Sequence, residues 1–591
     1  MCRMTLTIER RHLNALVEHF PDLDPLRAQL RFGERADVPV AQLSEAQCDF
    51  LGTLYRREGP DYQVRAAQLA TLRGALGNAG KRYEADDLEQ FLADLLRYLL
   101  ADGLRGWLFS ADISRRPLPY VVTRLDYTPT TNEESGKIFV ELKANAKGTI
   151  VTNTFRVTAG DIEKHTLGEV MVAKGFLKEA PELIAAYDAT AERYFDWRGR
   201  YGQQFAAQGR AFFAEDPSSS NRNTDWTRKD VVVLSASGGK ARLVNDESIL
   251  TQRSLTLDVP GEILASYLRR AEKSNAYGNE DEIRALAGSI PAEMFVTVPV
   301  HAYVLMFHLD LHHYVWVHVD DMEPYAYQPA LKSKLVLPPE QTDLIDILTA
   351  EMDVLMDDIV EGKSGGTTVL CAGPPGVGKT LTAEVYSEII RRPLYRVHSG
   401  QLGLNVTQME AALKDVLTRA QRWGAVMLID EADVYIKRRK DDMTMNAVVG
   451  VFLRVLEYFN GLLFLTTNRV DDIDEAIVSR CIALIRYHPP DREGRVRIWR
   501  VMVEQFGLAV DDATIQLLAD MFPEATGRDI KGLAKLTAKY CNQKAVPPTV
   551  TAFQRCSIFR GMDMVVRGGV NGPQSTRLAR QGVGTAAESN A

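Results

Sequence analysis

The chain has 591 residues, 46% hydrophobic and 25% charged, with a formal net charge of −8. That size suggests several domains, and the composition is that of a soluble globular protein with more than one core. The acidic balance gives no global basic field, so nucleic acid is not an expected partner. Six scattered cysteines without a CxxC pair argue against a disulfide scaffold and for a reducing, cytoplasmic setting.

The opening MCRMTLTIERRH contains no apolar h-region, so no secretory signal is expected there. Residues 1–112 read as a helical region. Within it Leu88, Phe91, Leu92, Leu95, Leu96 and Leu99 recur at i, i+3, i+4, i+7, i+8 and i+11, one apolar helix stripe. Residues 113–330 read as a mixed α/β, partner-binding region. KIFVELK alternates, with Ile138, Val140 and Leu142 on one face, and TIVTNTFRV is rich in β-branched residues. EDPSSSNRNTDW (215–226) reads as a linker. Strand-like runs return at 230–235 and 294–319. The most apolar of these, MFVTVPVHAYVLMF, is too short to span a bilayer, and no membrane partner is expected.

Five of the ten histidines fall in HAYVLMFHLDLHHYVWVH (301–318). On a strand, His308, Asp310 and His312 would share a face and could bind a metal. The plainer reading, a solvent face opposite Leu309 and Leu311, is the expected one. The basic run KRRK (437–440) reads as a solvated or subunit-facing helix end.

From about 331 short apolar runs alternate with helical patterns: TTVLCAG, PLYRVHS, AVMLIDEAD, GLLFLTTN and CIALIRY. This is the signature of an α/β unit with a parallel sheet, here over 331–491. Residues 492–567 read as helical. The tail, 568–591, has too few apolar residues to pack. No internal repeat is visible.

The strongest chemical signal is GPPGVGKT, comprising Gly373, Pro374, Pro375, Gly376, Val377, Gly378, Lys379 and Thr380. It fits G-x-x-x-x-G-K-S/T between a strand and a helix. Backbone N–H groups of such a loop curl around phosphates at a helix N-terminus. Lys379 is expected to reach the β- and γ-phosphates, and Thr380 to hold Mg²⁺. In AVMLIDEAD a buried strand ends in Asp430 and Glu431, where ligands of open α/β sheets bind. One acid can serve the metal shell and the other can activate water. The letters DEAD invite a helicase reading, but no HRxGR-like string and no second RecA-like domain follow. Asn468 ends the next apolar strand and could position water. Arg528 opens a helix in ATGRDIK. Arg480, in DEAIVSRC, either meets a distant anion or forms a local salt bridge with Asp472 or Asp474.

Together these signals resemble the AAA+ ATPases in order and context. Gly373–Thr380 look like Walker A, Asp430 and Glu431 like Walker B, Asn468 like sensor 1, Arg480 like the arginine finger and Arg528 like sensor 2. The strings DDIVEGKSGG, DEADVYIKRR, VFLRVLEYFNGLLFLTTNRV and DEAIVSRC are similar to a little-characterised group of AAA proteins in fungi and bacteria. The resemblance implies a parallel five-stranded sheet with a helical lid, preceded by helical and mixed α/β domains. It implies ATP and Mg²⁺ as cofactors, Glu431 as the base, and a ring of copies, expected as a hexamer. In such a ring Arg480 reaches the neighbour's ATP. Two functions stay open: a motor remodelling a protein or other macromolecule, or an ATP-gated assembly switch. SGQLGLNVTQ (399–408) holds no aromatic where many unfoldases place a pore loop, which leaves substrate threading open.

Overall fold

A computed structural model describes residues 5–32, 35–39, 42–58, 60–77, 80–101, 104–111, 116–130, 134–215, 231–234, 239–252, 291, 294–350, 366–403, 405–438 and 443–565. The tail at 568–591 and all but the first residue of the 215–226 linker lie outside these residues, as do Leu404, Arg439 and Lys440.

The apolar stripe forms a helix, Leu88–Leu100, that buries all six predicted side chains. It shares a core with a six-stranded sheet whose long strand, Lys137–Ala146, buries Ile138, Val140 and Leu142 on one face. The 1–112 region is not purely helical. Thr5–Glu9 pairs antiparallel with Arg35–Pro39, and Trp107–Ser110 joins the six-stranded sheet. The strand at Thr5–Glu9 follows from its period of two, with Leu6 and Ile8 fully buried.

A second sheet of seven strands is antiparallel throughout and includes Ala241–Asn245, Tyr303–His308 and His313–His318. It corrects the histidine reading. The strand ends at His308, and residues 309–312 turn the chain, with His312 at φ 55°. Asp310 and His312 therefore share no strand face with His308. His308 and Leu309 are both buried and Leu311 is exposed, so the expected solvent face opposite Leu309 and Leu311 does not exist either. Among the described residues no group of three or more His, Cys, Asp or Glu is arranged to hold a metal.

The last sheet is parallel, in the order Leu394–His398, Val426–Asp430, Leu462–Thr467, Thr367–Ala372, Ala483–Arg486. Its central strands are buried along their whole length because helices cover both faces. Four helices follow, Arg492–Gln505, Asp512–Met521, Gly527–Lys544 and Val550–Ile558. They enclose their own core around Trp499, Leu518, Ile530 and Phe553.

The antiparallel and parallel sheets share one core, where Phe307 and Tyr314 pack with Tyr395 and Trp423. Beside it Arg422 grips the fully buried Asp246 through two bonds, Nε to Oδ1 at 2.7 Å and Nη2 to Oδ2 at 2.5 Å. The Tyr314 hydroxyl donates to the same carboxylate at 2.7 Å.

Candidate nucleotide site

The loop after Thr367–Ala372 needs its glycines. Gly376 and Gly378 have φ of 85° and 105°, in the left-handed region where a side chain is strained. A Cβ on Gly373 would lie 2.4 Å from the Tyr487 carbonyl oxygen. Lys379 opens the following helix, Lys379–Ile389, and is buried. Its ammonium donates to the carbonyls of Gly373 and Pro374, both at 2.7 Å, and to Asn468 Oδ1 at 3.0 Å. Burial pushes its pKa below the usual lysine value, against the pull of Asp430 and Asp433.

Thr380 Oγ1 donates to Asp430 Oδ1 at 3.0 Å, and Thr466 Oγ1 donates to the same oxygen at 2.5 Å. Burial raises the Asp430 pKa. The bond from Thr466, the Arg396 guanidinium and the bond from Thr380 outweigh it, so the carboxyl sits below its ordinary range. The Thr380 hydroxyl and Asp430 carboxylate form an oxygen-only donor pair, which suits a hard cation such as Mg²⁺. Glu431 stands just past the strand end at φ 56°, its N–H donating to Thr466 Oγ1 at 3.0 Å. That left-handed turn leaves its carboxylate exposed at the cleft. Asn468 is fixed from behind, its N–H donating to Asp433 Oδ1 at 3.1 Å.

These residues line one cleft of about 1440 Å³. Pro375 to Thr380, Asp430, Glu431, Asn468 and Arg528 are in its wall. Leu337, Val377, Tyr487 and Ile498 give it an apolar end that would suit a flat ring. The helix Gly527–Lys544, which carries Arg528 in its first turn, touches the loop directly, the Arg528 N–H donating to the Gly376 carbonyl at 3.2 Å.

Arg480 is not in that wall. It is exposed, and its guanidinium lies on the Glu457 carboxylate, with Nε 3.1 Å from Oε1 and Nη1 3.1 Å from the Ala476 carbonyl oxygen. The local partner is thus Glu457, not Asp472 or Asp474. Asp474 instead caps the short helix Glu475–Val478, accepting the Ala476 N–H at 2.9 Å. Lys437 forms an isolated bridge with Ile473 rather than ending a helix. Sequence reasoning missed Arg396, Thr466, Asp433 and Glu457. Thr466 and Asp433 were open to view, standing within two or three residues of Asn468 and Asp430.

A parallel sheet of this order, with the phosphate loop after its fourth strand, Thr367–Ala372, two acids at the end of its second, Val426–Asp430, and a helical lid, defines an AAA+ type P-loop module. Residues 369–488 match the family described as "ATPase family associated with various cellular activities (AAA)", so the chain contains an AAA domain. Human "Peroxisomal ATPase PEX1" is 32% identical over 177 residues, 28% of this chain and 14% of that protein. "Proteasome-activating nucleotidase" of Pyrococcus furiosus is 30% identical over 179 residues, 28% of this chain and 45% of that protein. The matches thus span less than half of either relative. A chain in the solved "Structure of E. coli MS115-1 HORMA:CdnC:Trip13 complex" aligns with 39% of this chain and 91% of its own length, at 17% identity and a TM-score of 0.32.

Proposed function

We propose that this chain is a Mg²⁺-dependent ATPase, converting ATP and water to ADP and phosphate, that assembles into a ring, expected as a hexamer. The carrying observation is the convergence of Lys379, Thr380, Asp430, Glu431 and Asn468 on one cleft. The relatives named an ATPase and a nucleotidase support it. Lys379 turns from the loop carbonyls to the β- and γ-phosphates. Thr380 and Asp430 would hold Mg²⁺, which when bound neutralises phosphate charge. Glu431 takes the proton of the attacking water, Asn468 positions that water, and Arg528 reads the phosphates from the lid. Arg480 completes the site of a neighbouring copy.

The organisation we propose is a mostly helical region (1–112) that also carries three short strands, a partner-binding region (113–330), the ATPase domain (331–491), its lid (492–567) and a tail (568–591). The finer kinship is with the fungal and bacterial group that shares the strings quoted above. The work done is remodelling of a protein or other macromolecule in the cytoplasm, without nucleic acid or membrane. The five cysteines among the described residues are all free, four of them buried, which agrees with a reducing compartment. No helix among the described residues is long and apolar enough to cross a membrane. A second reading, an assembly switch with slow hydrolysis, is favoured by one observation: Glu457 of the same chain occupies the Arg480 guanidinium.

Lys379→Ala is expected to lose tight ATP binding. Glu431→Gln is expected to bind ATP and lose about 10²–10⁴ in turnover, the usual worth of a general base. Nucleotide binding and phosphate release on both variants decide this, and normal turnover by Glu431→Gln removes it as the base.

A further inference from the structure

Arg396 lies on the strand beside Asp430, and its position there is unusual for a cation near a metal-binding carboxylate. The strand Leu394–His398 runs parallel to Val426–Asp430, with Arg396 opposite Leu428 and His398 opposite Asp430. From there Arg396 Nη2 reaches Asp430 Oδ2 at 2.6 Å. Its Nη1 lies 3.6 Å from Glu384 Oε1, on the helix that Lys379 opens. Its buried Nε has no hydrogen-bond partner among the described residues. The guanidinium therefore straddles two carboxylates and is fully seated on neither.

The two oxygens of Asp430 are divided. Oδ1 accepts from Thr380 and Thr466, and Oδ2 accepts from Arg396. Oδ2 is the oxygen with least competition from hydroxyls, so it is the one an incoming cation shell would use. A guanidinium holding that oxygen competes for the same lone pairs and repels a divalent ion at short range. Glu384 offers the guanidinium somewhere else to go, one turn along the helix from Thr380.

We propose that Arg396 is the resident counter-ion of Asp430 and moves onto Glu384 when a divalent cation enters. It thereby sets the cation concentration at which nucleotide is held. Arg396 acts through Asp430 and is a positioning residue, not a catalytic one. The inference rests on the ATP and Mg²⁺ reading above.

The test is binding of a fluorescent, non-hydrolysable ATP analogue to the full chain, titrated with MgCl₂ from a chelated start. Replacing the guanidinium by a neutral amide, Arg396→Gln, should lower the Mg²⁺ midpoint about tenfold, because the competing charge is gone. Glu384→Gln should raise the midpoint, because the guanidinium loses its second seat. A midpoint that rises or stays put in Arg396→Gln makes Arg396 a brace for Asp430 and overturns the proposal. If Arg396→Gln does not fold, Glu384→Gln decides alone, and an unmoved or lowered midpoint overturns it. Lys379→Ala separates the two readings. If wild type and Lys379→Ala fail alike to bind the analogue at any Mg²⁺, the ATP reading itself has failed. If wild type binds and the midpoints do not move, only the counter-ion proposal has.

Discussion

At the scale of single residues, burial decides chemistry in two places. Lys379 is kept charged in a buried setting by three oxygens aimed at its ammonium, two of them carbonyls of its own loop. A phosphate can replace those oxygens because it offers the same geometry with full charge. His301 and His308 show the opposite case. Both are buried, and burial brings each from 6.5 to about 4. His308 Nδ1 accepts the N–H groups of Asp310 and Leu311, both at 3.2 Å, which requires that nitrogen to be unprotonated. Between the folded value and 6.5 the unfolded chain binds more protons, so stability falls as pH drops through that window. Melting temperature should decline from pH 7 to pH 5. His308→Asn, whose amide oxygen can accept the same two N–H groups, should flatten part of that decline. An equally steep decline in the variant would show that His308 does not contribute.

At the scale of elements, the phosphate loop and the lid helix Gly527–Lys544 are one contact. Thr526 caps that helix in a capping box with Asp529. A Cβ on Gly376 would lie 2.7 Å from Thr526 Oγ1 and 2.9 Å from Arg528 Cβ. Gly376→Ala should therefore push the lid off the loop. It also forces a side chain into φ 85°, at roughly 1–2 kcal/mol. That strain lowers stability, while loss of the lid contact should lower ATP affinity about tenfold, a difference of about 1.4 kcal/mol, with unchanged far-UV circular dichroism. Unchanged affinity would mean that lid contact is not needed to hold nucleotide.

At the scale of the whole molecule, the antiparallel sheet is built into the ATPase rather than tethered to it. Asp246 is fully buried, and its partner Arg422 ends the helix Val406–Trp423 that leads into the strand of Asp430. Asp246→Ala should cost about 3–5 kcal/mol, because it strands the half-buried Arg422 guanidinium beside the Tyr314 hydroxyl. Replacing both partners together, Asp246→Leu with Arg422→Met, should cost less than the single change. Chemical denaturation measures both, and equal losses would show that the ion pair is not what makes the position sensitive. The proposed ring adds a further level. Arg480→Ala should bind ATP and be nearly inactive, since an arginine finger is worth roughly 10³–10⁵ in rate. Mixed with Glu431→Gln, it should recover activity, because some interfaces would pair an intact Glu431 with an intact Arg480. Mixed rings that form yet stay inactive would leave Arg480 as the local partner of Glu457.

The sequence by itself determined what depends on neighbours along the chain. The five strands of the parallel sheet were legible because each is a short apolar run bounded by turns. The phosphate loop was legible because backbone geometry confines it to glycines at fixed spacing. Asp430, Glu431 and Asn468 were legible because they stand at strand ends. The strand at Thr5–Glu9 was missed although its alternation is plain, because the helices around it dominate the window. The histidine cluster misled because a strand pattern cannot reveal a tight turn at 309–312. Tertiary structure alone decided what lies opposite a side chain. It gave Arg480 to Glu457, 23 residues away in the chain. It set Arg396 between Asp430 and Glu384, and Arg422 on Asp246, 176 residues distant. Charged side chains find partners through space, and only the folded chain fixes which carboxylate lies within reach of which guanidinium.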